Sequence, residues 1–196
     1  MVETSPRLKR IVLIVALLNF AYFGVEFVVA RMIGSVSLFA DSVDFLEDTS
    51  VNLLIAIALG WPAKWRARTG MLLAAIIVLP AIAFVWTAWQ KLQEPVAPEP
   101  FALSLTGLGA IVVNSTCALI LAGVRNHKGS LTKAAFLSAR NDVLANIAII
   151  GAGVVTLFWR TAWPDLIVGS AIAAMNIGAA KEIMEAAMGE QDEPEA

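Results

Sequence analysis

Six long apolar runs, at about 11–33, 37–60, 71–91, 102–124, 134–158 and 163–184, divide the chain, and each holds the roughly 20 residues a helix needs to cross a bilayer. The breaks between them are chemically plain: Gly34-Ser35, then Trp61-Pro62-Ala63-Lys64-Trp65-Arg66, then Pro95, Pro98 and Pro100, then Arg125-Asn126-His127-Lys128-Gly129, then Trp163-Pro164. No run shows the period-two alternation of a barrel strand, and backbone groups left unpaired in lipid are costly, so the runs are predicted to be helices. The fold class that follows is all-α: a polytopic membrane protein of six transmembrane helices over residues 11–186. A tail at 1–10 is expected to precede them and a short acidic tail at 187–196 to follow, with no C-terminal domain expected.

Orientation comes from the basic residues. The N-terminal tail (Arg7, Lys9, Arg10), the second loop (Lys64, Arg66, Arg68) and the fourth loop (Arg125, Lys128, Lys133) are rich in them. The other loops offer only Arg31, Lys91 and Arg160. Both termini are therefore expected in the cytoplasm. Trp61, Trp65, Trp159 and Trp163 fall at span ends, where indole rings anchor in the interface. Composition agrees: 59% of the 196 residues are hydrophobic and 15% charged, outside the range of soluble domains. The formal charge of -2 resides in loops and tails, and a nucleic-acid partner is not expected. The one cysteine, Cys117, reads as a small buried thiol and excludes an internal disulfide. The one histidine, His127, falls in a polar loop, so no imidazole site forms within the membrane.

One span breaks the apolar pattern. Residues 40–48 read ADSVDFLED, with Asp41, Asp44, Glu47 and Asp48 inside a membrane-length run. An acidic residue at the centre of a spanning helix opposes insertion by roughly 2.5–3.5 kcal/mol, so these groups must face a bundle interior or a cation. Asp41, Asp44 and Asp48 share one helical face, and Glu47 points to the other side of Asp44. Span five, running the other way, carries Asp142 to about the same depth, with Ser138 and Asn146 on the same face. Three carboxylates and a hydroxyl at one level suit a divalent cation; the bland alternative is hydrogen bonding between neighbouring helices. Asn19 with Glu26, and Asn114 and Asn176, read as interhelical hydrogen-bonding groups, and Pro80 as a kink in span three.

These motifs resemble those of the cation diffusion facilitators, a family of divalent-metal/proton antiporters. Asn19, Glu26, Gly34-Ser35-Val36-Ser37 and ADSVDFLED look like the family's first two spans, and LTKAAFLSARNDVLANI looks like its fifth. Lesser matches are Ala88-Trp89-Gln90-Lys91-Leu92, Glu94-Pro95, Asn114 and Trp163-Pro164-Asp165. The resemblance implies that Asp44, Asp48 and Asp142 hold the metal, with Ser138 where members carry a His. Weaker candidates are Asp41, Glu47, Asn141 and Asn146. It further implies a transporter rather than an enzyme, exporting a divalent cation from the cytoplasm by alternating access.

Zn²⁺, with Cd²⁺ and Co²⁺, is the first expectation for the cation. An all-oxygen donor set also suits Mn²⁺ or Fe²⁺. The same carboxylates, Asp44, Asp48 and Asp142, would carry the exchanged protons, and no cofactor is required beyond the transported metal. The expected surroundings are a lipid bilayer, the bacterial cytoplasmic membrane, with a homodimer formed through membrane helices. A rival reading is a non-transporting scaffold or regulatory subunit on a decayed transporter fold. An aspartyl protease is disfavoured, since the glycine-rich context of such enzymes is absent around the three aspartates.

Overall fold

The structure, a computed structural model, describes residues 6–58, 65, 68, 84–123 and 130–175, with the side chains of 57, 58 and 130–141 outside the description. Its helices are α1 (Pro6–Ile33), α2 (Val36–Ala58), α3 (84–93), α4 (Pro100–Ala122), α5 (Ser130–Phe158) and α6 (Trp163–Met175). Among the described residues there is no strand. The described part of α1 begins at Pro6, ahead of the apolar run, and takes in the basic segment Arg7 to Arg10. Expectations for Trp61, Pro80, His127, Asn176, residues 1–5 and the acidic tail fall outside the described residues, whereas residues 6–10, expected as tail, belong to α1.

The α1–α2 connection is a two-residue turn whose chemistry is local. Gly34 takes φ 64°, a left-handed conformation that costs glycine little, and Ser35 N–H reaches back to the Ala30 carbonyl at 3.0 Å. Ser35 then starts the next helix, its Oγ accepting from Leu38 N–H at 3.2 Å. So short a turn forces α1 and α2 into an antiparallel pair. α4 is capped differently: Glu99 accepts from the N–H groups of Phe101 and Ala102, with Pro100 at the first helical position.

α1 packs along α2 and α4 along α5, while α1 also meets α4 and α2 meets α5, so these four helices enclose a common interior. Two apolar clusters fill its ends. One joins Ala30, Val36, Phe39 and Val43 to Phe84, Leu103, Ile149, Leu166 and Ile172, which ties α3 and α6 to the start of α2. The other joins Val12 and Val15 to Ile55, Ala56, Cys117 and Leu121. Tyr22 braces α1 against α4 by donating to the Thr106 carbonyl at 2.6 Å, and its ring lies 5.1 Å from that of Phe45. Outward faces carry large apolar side chains, among them Leu17, Val28, Val112, Leu119, Leu144 and Ile167.

Among the described residues, α1 and α4 are long and apolar enough to cross a membrane. α2 has the length, at 23 residues, but carries four carboxylates. Trp65, Trp159 and Trp163 are exposed, and the Arg68 guanidinium lies 5.3 Å from the centre of the Trp65 ring.

Candidate functional site

Between the two apolar clusters lies a layer of buried polar groups. α1 contributes Asn19 and Glu26, α2 contributes Asp41, Glu47, Asp48 and Asn52, α4 contributes Asn114 and α5 contributes Asn146, all buried. Asp44 and Asp142 belong to the same layer but keep partial accessibility. Uncompensated charges are expensive in such an interior, so the layer needs a functional or hydrogen-bonding reason to exist.

The geometry separates the predicted residues. Asp44 interacts electrostatically with Asp142, Asp41, Glu47 and Asp48, and Asp142 with Asp48, Asp41 and Glu47, so α2 and α5 present carboxyl groups to one another. Among the described residues, no three His, Cys, Asp or Glu side chains stand close enough to share one metal ion. The side chains of Ser138 and Asn141 fall outside the description.

Asp41 has its own partners. Asn146 Nδ2 donates to Asp41 Oδ1 at 3.3 Å and to the Asp142 carbonyl at 3.0 Å, so one amide links the acidic face of α2 to the backbone of α5. On its other side Asp41 faces the buried carboxyl group of Glu26 on α1. Among the described residues no hydrogen-bond partner reaches either Glu26 oxygen or Asp41 Oδ2. Asn19 Oδ1 accepts from the buried Cys117 thiol at 3.7 Å, joining α1 to α4 as the hydrogen-bonding reading of Asn19 anticipates. Asn52 Nδ2 donates to the Asp48 carbonyl at 2.8 Å, and Thr49 Oγ1 to the Phe45 carbonyl at 2.7 Å and toward the Ala16 carbonyl of α1 at 3.4 Å, while Asn52 Oδ1 is buried with no hydrogen-bond partner among the described residues.

Sequence reasoning passed over two residues. Lys91, counted there as a loop cation, lies within α3 and is buried, because it pairs with Asp165 across 3.8 Å and donates to the Gly34 carbonyl. Asp165, noted only within Trp163-Pro164-Asp165, is fully buried and bonds to the start of α2. The available signal was a Ser-Val-Ser at one helix start and an Asp at another. Nothing local says that they meet.

The described residues form a helical bundle with lipid-compatible faces and a buried carboxyl layer, the construction of a membrane protein. Residues 12–187 match the family described as the cation efflux transmembrane domain, and the chain belongs to that family. Two relatives from strains of Mycobacterium tuberculosis, each named a probable cation efflux system protein, are 31% identical over 176 aligned residues, covering 81% of this chain and 53% of theirs. A cadmium, cobalt and zinc/H(+)-K(+) antiporter of Bacillus subtilis is 22% identical over 181 residues, covering 85% of this chain and 58% of its own. The chain thus spans a little over half the length of these curated relatives.

Proposed function

We propose that the protein moves a divalent transition-metal cation out of the cytoplasm, binding it between α2 and α5 with Asp44, Asp48 and Asp142 as ligands and Ser138 or water completing the shell. The observation that carries this reading is the carboxylate layer held mid-bundle between two apolar clusters, in a chain of the cation efflux family. A bound M²⁺ would offset the repulsion between Asp142 and the α2 carboxylates and draw them together.

Zn²⁺ is the preferred cargo, with Cd²⁺ and Co²⁺, by analogy with the metals in the Bacillus relative's name. The all-oxygen donor set supports Mn²⁺ or Fe²⁺ as the second reading. In the working cycle the carboxylates hold either metal or protons: protons entering from outside release the metal, and their loss toward the cytoplasm restores the ligands. Six spans with both termini cytoplasmic, a bacterial cytoplasmic membrane and a dimer formed through membrane helices complete the proposal.

Uptake into proteoliposomes tests it. Purified protein should accumulate Zn²⁺ or Mn²⁺ against an imposed proton gradient, and Asp48→Ala and Asp142→Ala should lose that uptake. Undiminished uptake in either variant would contradict the ligand assignment. Absence of uptake and of saturable metal binding in the unmodified protein would favour the scaffold reading.

A further inference from the structure

The end of α2 that carries the α1–α2 turn is held by a network that metal binding does not itself require. Asp165 Oδ1 accepts from Ser35 Oγ and Ser37 Oγ, each at 2.6 Å, and from Ser37 N–H at 3.1 Å. Its Oδ2 accepts from Val36 N–H at 2.8 Å. With Leu38 N–H bonded to Ser35 Oγ at 3.2 Å, the first three amides of α2 all have acceptors without recourse to water. Lys91 of α3 adds the matching charge, 3.8 Å from Asp165 Oδ2, and also holds the carbonyl of Gly34. One turn along α6, Gly169 lies so close to α2 that a Cβ there would sit 2.8 Å from Ser37 N and Val36 C. α6 therefore meets the backbone of α2 directly, with no deformable side chain between them.

A carboxylate bonded to both the backbone and the hydroxyls of one helical turn fixes that helix in depth and in rotation. A negative group also suits a helix N-terminus, where the helix dipole is positive. Asp44 and Asp48 follow on the same continuous helix, about 13 and 20 Å along its axis from Ser35, so the register set at Ser35 is carried to them. Asp142 stands on α5, which takes no part in the clamp. How the two sets of carboxylates meet thus depends on where α2 is held.

We propose that Asp165, backed by Lys91, is a positioning residue for cation binding: by clamping the start of α2 it sets the height and facing of Asp44 and Asp48 relative to Asp142. The proposal rests on the ligand assignment above.

The test compares Zn²⁺ affinity, by titration calorimetry on the full chain in detergent, with the thermal unfolding midpoint. Asp165→Asn should weaken Zn²⁺ binding about tenfold and lower the midpoint. Adding Lys91→Met removes the buried ammonium that Asp165→Asn leaves unpaired, so the midpoint should recover. Zn²⁺ affinity should stay weak in that double variant, because the α2 clamp is still broken. Affinity that recovers in step with the midpoint, or that never falls in Asp165→Asn, overturns the proposal.

Should Asp165→Asn not fold, Ser37→Ala removes a single hydroxyl donor and should still weaken Zn²⁺ about two- to threefold; unchanged affinity there overturns the proposal equally. Asp48→Ala keeps the two ideas apart. Zn²⁺ binding that Asp48→Ala abolishes and Asp165→Asn leaves intact refutes the positioning role alone, whereas an unmodified protein with no saturable Zn²⁺ binding refutes both.

Discussion

Replacing Gly169 by alanine should destabilise the protein, although alanine is ordinarily the better helix residue. The added Cβ would lie 2.8 Å from Ser37 N and Val36 C and 2.9 Å from Val36 O, all backbone atoms. Ordinary contact begins near 3.4 Å, so α6 must retreat by about 0.6 Å or α2 must shift. Such a retreat would stretch the Asp165 contacts, now 2.6–3.1 Å, to about 3.2–3.7 Å, beyond good hydrogen-bond geometry for most of them. Overpacking typically costs about 1–3 kcal/mol and weakened hydrogen bonds to a buried carboxylate add to it, while the glycine-to-alanine gain in a helix is at most about 1 kcal/mol.

The net expectation is a loss of about 1–2 kcal/mol. Gly151→Ala is the matched control, since nothing lies within 4 Å of a Cβ there, and it should be neutral or slightly stabilising. Unfolding in detergent, followed by circular dichroism for both variants side by side, reads the two signs. A Gly169→Ala protein as stable as Gly151→Ala would refute the close backbone approach of α6 to α2.

Ser138→His should shift preference toward Zn²⁺, because imidazole is a softer donor than a hydroxyl or water; unchanged relative affinities for Zn²⁺ and Mn²⁺ would count against Ser138 as a ligand. Metal affinity should fall as pH falls, since carboxylates must release protons to bind M²⁺, and proton release on Zn²⁺ binding, read from calorimetry in buffers of different ionisation enthalpy, should accompany it. Tyr22→Phe removes the 2.6 Å bond to the Thr106 carbonyl and should cost about 1 kcal/mol in the unfolding assay with little change in Zn²⁺ affinity, because that bond braces α1 against α4 away from the proposed ligands.

Much of the fold is legible in the chain because membrane-length helices are written locally. Gly34-Ser35 marks a turn by residue type alone, and Pro100 marks a helix start. The acidic run on α2 stands out against its apolar surroundings, and Asp142 pairs with it once equal depth is assumed. What could not be read are partnerships between residues remote in sequence. Asp165 bonds to Ser35 across 130 positions, and Asn146 to Asp41 across 105. Both depend on how helices pack around one another, which periodicity does not encode. Lys91 was misplaced for the same reason: a lysine near a span end reads as interfacial until its buried partner is known.

Asp41 and Glu26 sharpen the division within the acidic run. Asp41 lies beside the Glu26 carboxyl and accepts from the Asn146 amide, whereas Asp44 faces the Asp142 carboxyl. The most direct measurement of the central claim is isothermal titration of Zn²⁺, Mn²⁺ and Co²⁺ into the purified protein and its Asp142→Ala variant. Saturable binding of at least one of these cations, lost on removal of the Asp142 carboxylate, is the predicted result; binding that is absent from the unmodified protein, or unchanged in the variant, would contradict it.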